Sequence, residues 1–399
     1  MSHGTPEASA RRERGAFDQD RPGAICTRAP TLHNLQALRG IAIILVVLLH
    51  LASAGYLYGD GSTPLAAFSI LGVSGVDLFF VISGFVMATI TRGTFRKKGS
   101  LPLFLYSRAA RIYPAYWVFS LALLAAHRLF PSLGDPQRWR EIDVARSLLL
   151  LPQTPGPILV VGWTLVLEMY FYGVVALSLL LPERFFVGVL LAWAGFVTVA
   201  NIGFSHTATA LGPSAHVVLH PQTIEFISGC LLARFVQAGH RRWGASGFTL
   251  GAVLLPGLYA VYAAFRPGQL PSDWERLALF GFPSTLMVYG ACGMELAGAV
   301  RLPRLLMLIG DASYTIYLSH VPVIVAASVL FIRMTGGGHA APFAADLFRF
   351  AAVGAGAVGG YVAVEVPLHR AARRIREYWQ ERFCAVRPSE TRLPPPALA

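Results

Sequence analysis

Charge is what this sequence has least of. Only 14% of its 399 residues are Asp, Glu, Lys or Arg, against about a quarter in soluble domains. With 55% of residues hydrophobic and a mean hydropathy of +0.55, too few polar side chains exist to cover a soluble protein of this length. A large soluble helical enzyme is excluded on that ground. Cysteine is scarce as well. Cys26, Cys230, Cys292 and Cys384 stand far apart with no CxxC spacing, so neither a zinc site nor a disulfide framework is supported and no metal is expected. The first 34 residues are polar and rich in Arg, Pro and Gly. They lack the charged, apolar, small-residue order of a cleaved signal peptide, so the first apolar segment is expected to act as an uncleaved membrane signal. No polar interval is long enough for a separate soluble domain; the longest between apolar segments, about 131–158, is too short. One match to GxGxxG, GAGAVG at 354–359, lies inside an apolar run with no strand before it. Dinucleotide binding is therefore unsupported. Close helix packing through small residues, with Gly356 and Gly360 at GxxxG spacing, is the expected use.

What the chain does have is a series of apolar runs long enough to cross a bilayer. Ten can be placed, at about 35–55, 65–91, 112–130, 159–181, 185–204, 215–235, 246–265, 278–300, 305–333 and 343–364. The expected fold is all-α, a polytopic membrane protein of about ten transmembrane helices. A disordered cytosolic tail is expected over 1–34, the membrane domain over 35–370, and a basic, Pro-rich cytosolic tail over 371–399. Ten spans put both termini on one side. Placing that side inside puts most of the basic residues there, notably Arg92, Arg96, Lys97, Lys98, Arg108 and Arg111 together and the arginine-rich segment from Arg370 onward. The positive-inside rule thus supports ten spans with both termini in the cytosol. The net charge of +12 is accounted for by topology, and no nucleic-acid partner is expected.

In such a protein, function is read from ionisable residues that the bilayer penalises. LQALRGIAIILVVLLH carries Arg39 and His50 eleven residues apart, a rise of about 16 Å with only about 20° of angular offset on a helix. The two project from one face. A histidine at that depth is neutral or paired and can serve as a base; it can equally be a structural histidine bonded to a neighbouring helix, with Arg39 snorkelling. The second run, GVDLFFVISGFVMA, holds Asp77 and a small polar break at Ser83, and the fourth, GWTLVLEMYFYG, holds Trp163 and Glu168. His50, Asp77 and Glu168 at overlapping depth form either an acid/base cluster or a structural polar network. In YSRAARIYPAYW, Arg108 and Arg111 share a helix face, and paired guanidiniums suit a phosphate-bearing ligand. GDASYTIYLSHVPVI places Tyr317 and His320 three residues apart, and a salt bridge is expected for Glu365 in VEVPLHRAARR.

Six segments, LQALRGIAIILVVLLH, GVDLFFVISGFVM, SRAARIYPAYW, WTLVLEMYFY, GDASYTIYLSHVP and VEVPLHR, follow one another from residue 35 to about 370. In that order they resemble the acyltransferase-3 family of integral membrane acyltransferases, in wording closest to stand-alone bacterial exopolysaccharide O-acetyltransferases. The resemblance implies an enzyme of the bacterial inner membrane that transfers an acyl group, chiefly acetyl, from acyl-CoA to a hydroxyl of a cell-surface or exported carbohydrate. Acyl-CoA is a co-substrate and no cofactor is held permanently. Polysaccharide-synthesis or export machinery is an implied partner. The family's arginine-to-histidine motif falls on Arg39 and His50, its RxxR motif on Arg108 and Arg111, and its tryptophan-to-glutamate motif on Trp163 and Glu168. His50, Glu168 and Asp77 are then the candidate catalytic residues, Arg39, Arg108 and Arg111 the candidate donor-binding residues, and Ser83, Trp163, Tyr317 and His320 the candidate acceptor-binding residues. His50 is implied either as general base or as transient acyl carrier. The chain departs from the pattern in reading WTLVLE where a serine-bearing form is usual, and no extracytoplasmic hydrolase-like domain is expected. The rival reading is a transporter or sugar-lipid flippase with an intramembrane proton relay, although no two-half repeat is visible.

Overall fold

The computed structural model describes residues 32–59, 63, 65, 70–131, 136–204, 212–298, 301–336 and 342–384. The expected tails therefore fall outside the described residues over 1–31 and 385–399. Every regular element among the described residues is a helix. The long ones are α1 (His33–Tyr58), α2 (Leu71–Thr91), α3 (Ser100–Leu129), α4 (Val160–Ser178), α5 (Glu183–Gly203) and α6 (Thr223–Gln237). They are followed by α7 (Gly244–Phe265), α8 (Asp273–Leu296), α9 (Arg304–Asp311), α10 (Ser313–Met334) and α11 (Pro342–Ile375). Among the described residues nine helices are long and apolar enough to cross a membrane, so the chain is an all-α, multi-pass membrane protein.

The sequence expectation differs from the structure in two places. The segment expected to span 215–235 is divided into a short helix, Pro213–Val218, a turn, and the 15 residues of α6. Fifteen residues rise only about 22 Å, short of the roughly 30 Å hydrocarbon core. The apolar run read as one span over 305–333 breaks at Ala312 into α9 and α10. Helix α9 leaves Leu305 and Leu308 exposed and buries Gly310 against α1.

Small residues set the helix spacing around the future site. A Cβ at Gly40 would meet the Leu306 carbonyl, and one at Gly310 would meet the Gln36 carbonyl. Without a hydrophobic drive between helices in lipid, such close backbone approach is what packing uses. Helices α2 and α6 cross the same way, with Gly84 against the Phe226 carbonyl and Gly229 against the Val81 carbonyl. The GxxxG pair of α11 packs as expected: Gly356 faces Val323 and Gly360 faces Thr315, both on α10.

The start of α1 is pinned from a distance. Its first free amides, at His33 and Asn34, donate to the Glu295 carboxylate at 2.8 and 2.7 Å. A carboxylate at a helix N-terminus satisfies orphan donors and suits the helix dipole. Asn34 adds bonds to the Ala291 carbonyl and from the Leu302 amide. Glu365 does the equivalent at the start of α10, accepting from the Thr315 amide at 3.1 Å and from the Thr315 hydroxyl. His369 lies 4.0 Å from its other oxygen, so the ionisable neighbour expected for Glu365 is there, and a helix cap is added to it. The ends of the two helices that carry Arg39, His50, Tyr317 and His320 are thus held by hydrogen bonds.

Candidate active site

A cavity of about 280 Å³ lies among α1, α2, α3, α4 and α10. It runs from Leu32 and Ile90, at the start of α1 and the end of α2, to Phe79, Thr164 and Tyr317. The first of these ends is the end of the bundle where Arg92, Arg96, Lys97 and Lys98 follow α2. Among the lining residues are three arginines, Arg39, Arg108 and Arg111, and one acidic residue, Glu168. The wall is otherwise mainly apolar, with Ser83, Tyr172, Ser313 and Tyr314 among its polar exceptions.

Two of the charged groups on this wall, Arg39 and Glu168, are held by hydrogen bonds. Arg39 donates from Nη2 to the Ser313 hydroxyl at 2.8 Å and from Nη1 to Gln36 Oε1 at 3.0 Å, which ties α1 to α10. Glu168 accepts at Oε1 from the Ser83 hydroxyl at 2.9 Å and, on the same oxygen, from the Tyr172 hydroxyl one helical turn on. The Arg108 guanidinium carbon lies 5.9 Å from the centre of the Tyr172 ring, within range of a cation–π contact. Its Nε is buried with no acceptor among the described residues. A buried guanidinium nitrogen without a partner costs free energy that an incoming anion can recover.

At the far end of the cavity Tyr317 and Thr164 are bonded together. Tyr317 donates to the Val161 carbonyl at 2.8 Å and shares a 2.6 Å bond with the Thr164 hydroxyl. Beyond it the Tyr317 and His320 ring centres are 5.9 Å apart, and those of His320 and His50 are 4.8 Å apart. His50 itself does not line the cavity. It is half-buried on α1, with Nδ1 2.9 Å from the Val46 carbonyl and 3.3 Å from His320 Nε2.

Asp77 stands apart from both groups. Its fully buried carboxylate accepts from Arg276 of α8 at 3.0 Å, and the Gln222 side-chain amide lies against the same guanidinium, its oxygen accepting from it once the amide is turned to match its neighbours. Glu225 of α6 is buried close by, its two carboxyl oxygens without a hydrogen-bond donor among the described residues. The expected grouping of His50, Asp77 and Glu168 is therefore not made: each has its own set of partners. Trp163 also lies outside the cavity, stacked over His220 with ring centres 6.1 Å apart. Of the expected acceptor residues, Ser83 and Tyr317 line the cavity, and His320 is fully buried against His50. No group of three or more potential metal ligands occurs among the described residues.

With the geometry in place, comparison with known proteins decides the family. A model of an acyltransferase domain, that of the acyltransferase-3 family, matches residues 32–364. The chain belongs to the acyltransferase-3 family. It is 33% identical over 320 residues to the exopolysaccharide production protein ExoZ of Rhizobium meliloti (strain 1021), covering 77% of this chain and 92% of that protein. It is 27% identical over 322 residues to the acyltransferase MdmB of Streptomyces mycarofaciens, covering 74% of this chain and 80% of that one. No solved structure matches the chain significantly. The membrane domain is thus an acyltransferase domain, and the cavity, the histidine pair and the Asp77 cluster are features of a member of this family.

Several residues of this acyltransferase were not singled out by sequence reasoning. Tyr172 sits four residues after Glu168, on the same helix face, and that spacing was the available signal. Arg276 lies just before the apolar run at 278–300, outside every expected span, but is buried within a network. Glu225 was a carboxylate in an apolar run, the same signal that marked Asp77 and Glu168. Arg349, placed within a span, pairs with Asp346 at 2.8 Å and with Ser328 at 2.8 Å, a satisfied structural unit to which Thr63 also donates.

Proposed function

We propose that this acyltransferase moves an acyl group, acetyl foremost, from acyl-CoA to a hydroxyl of a cell-surface or exported carbohydrate, in the cytoplasmic membrane of a bacterium. One observation carries the donor assignment: three guanidiniums and a single carboxylate face one cavity in an apolar bundle. Excess positive charge in such a place calls for an anionic ligand. At about 280 Å³ the cavity is at the small end for a ligand site, typically about 300–1,000 Å³. It suits the narrow thioester-bearing arm, leaving the nucleotide at the basic end of the bundle. Arg108 and Arg111 then hold phosphate oxygens, and Arg39 adds field from the opposite wall. Counting α6 together with the short helix before it, Pro213–Val218, as a crossing makes ten and returns both termini to one side. The basic segments then face the cytosol, where acyl-CoA is found.

The carbohydrate acceptor rests on the resemblance to a protein named for exopolysaccharide production, and polysaccharide-synthesis or export machinery is the partner that would present it. In the transfer, the acceptor oxygen attacks the thioester carbonyl carbon, a C–O bond forms and the C–S bond breaks. His50, beyond the Tyr317 end of the cavity, takes the hydroxyl proton from an acceptor entering on that side and returns it to the departing thiolate. Its Nδ1 faces the Val46 carbonyl, so Nε2 is the nitrogen with a lone pair to offer. Glu168 acts from the cavity wall on the bound acyl arm or acceptor. The test is acetyl-CoA consumption by the purified full-length protein in nanodiscs with candidate glycans, comparing wild type and His50→Ala. Turnover that survives in a folded His50→Ala protein removes His50 from the chemistry. Absence of acetyl-CoA consumption with any glycan, alongside proton-coupled movement of a sugar lipid, would replace the proposal with transport.

A further inference from the structure

The two intramembrane histidines are joined by a hydrogen-bond pattern that fixes which nitrogen does what. A carbonyl oxygen only accepts, so a ring nitrogen facing one at bonding distance carries the hydrogen. His320 Nδ1 lies 2.9 Å from the Ile316 carbonyl, four residues back on its own helix. Its Nε2 is therefore the acceptor, and that lone pair lies 3.3 Å from His50 Nδ1. His50 Nδ1 lies 2.9 Å from its own carbonyl four residues back, Val46, and so carries hydrogen too. The two rings meet nearly edge to face, 76° between planes. One N–H on His50 thus has two neutral acceptors, and the other nitrogen is left to work.

We propose that His320 is the positioning residue for His50: it accepts from His50 Nδ1–H, orients the ring, and stabilises the imidazolium that forms when Nε2 takes a proton. The proposal rests on the acyltransfer role given to His50 above. In serine hydrolases a buried carboxylate fills this place. Here the carboxylate expected from the sequence, Asp77, is bound to Arg276 instead, and a neutral imidazole supplies the acceptor without a second charge in the bilayer. The support is itself rigid. His320 is fully buried, the neighbouring Ser319 bonds back to Thr315, and Tyr317 one turn earlier is fixed to α4 by Val161 and Thr164. A histidine that merely fills space has no need to aim a lone pair at a second histidine.

The test uses the two amide isosteres. His320→Asn places its amide near Nδ1, keeping the bond to Ile316 while deleting the acceptor toward His50. His320→Gln reaches the position of Nε2 and restores that acceptor. In the full-length protein in nanodiscs, His320→Asn should lower kcat about 10–100-fold, within the roughly 10²–10⁴-fold that a positioned general base contributes in all, with KM for acetyl-CoA within about twofold. His320→Gln should recover most of the loss. In ¹⁵N-histidine spectra, the His50 Nδ1–H resonance, assigned by its absence in His50→Ala, should move in His320→Asn and return in His320→Gln. A folded His320→Asn protein with wild-type kcat, or one whose His50 Nδ1–H signal is unmoved, overturns the proposal. So does equal loss in both variants, which marks a purely structural histidine. Should wild type itself consume no acetyl-CoA, the acyltransfer assignment of His50 fails, while the spectra still decide whether the hydrogen bond exists.

Discussion

Replacing Arg276 by Met would leave the Asp77 carboxylate fully buried without its 3.0 Å partner and next to Glu225, whose oxygens have no donor of their own. Breaking a buried ion pair from one side costs about 3–5 kcal/mol, because the stranded charge keeps its desolvation penalty. At roughly 2 °C per kcal/mol for a large chain, the midpoint of thermal inactivation in detergent should fall by about 6–10 °C. Asp77→Asn removes the charge that needs the arginine, so the double variant Asp77→Asn with Arg276→Met should recover most of that loss. The cycle should return a coupling of about 2 kcal/mol or more. Inactivation is followed on the full-length protein by fluorescence-detected size exclusion, with acetyl-CoA turnover measured on the surviving fraction. Additive effects, or a drop under about 2 °C for Arg276→Met, would refute the ion-pair reasoning. A well-folded but inactive double variant would return Asp77 to the catalytic residues.

Arg108→Ala should weaken acetyl-CoA binding about tenfold or more, since a charge-assisted hydrogen bond is worth about 1.5–3 kcal/mol; isothermal titration reads this directly, and unchanged affinity would reduce the RxxR pair to topology. Glu168→Gln should cut turnover at least tenfold, on the order of losing one positioned acid/base or orienting group, while donor affinity holds or rises because the cavity loses its one negative charge; steady-state kinetics separate the two. Gly229→Ala should destabilise the bundle by about 1–3 kcal/mol, since its Cβ would press on the Val81 carbonyl. Gly173→Ala, with open space at its Cβ, should stabilise by up to about 1 kcal/mol. Thermal inactivation of the two, compared side by side, checks the close α2–α6 crossing.

Much of this protein was legible in its sequence because hydropathy reports directly on transfer into lipid. The all-α, multi-pass fold followed from the apolar runs, and the motif order led to the acyltransferase-3 family. Helical periodicity put Arg108 and Arg111 on one face and Arg39 and His50 on another, and the arginines do turn to one cavity. Boundaries were less legible where a run was apolar throughout. The break at Ala312 falls in the short polar stretch Gly310 to Ser313, too brief to interrupt the hydropathy of 305–333, and α6 is shortened by a turn whose residues are themselves mostly uncharged.

Periodicity acts within a helix and says nothing about which helix faces which. The sequence alone determined which charges must be sheltered from lipid, because each one carries its own desolvation cost. Only the tertiary structure decided who shelters them. Asp77 is paired across 199 residues with Arg276, Ser83 across 85 with Glu168, and His50 across 270 with His320. A buried polar group is stable with any partner that satisfies it, so its chemistry follows from whichever partner the packing brings.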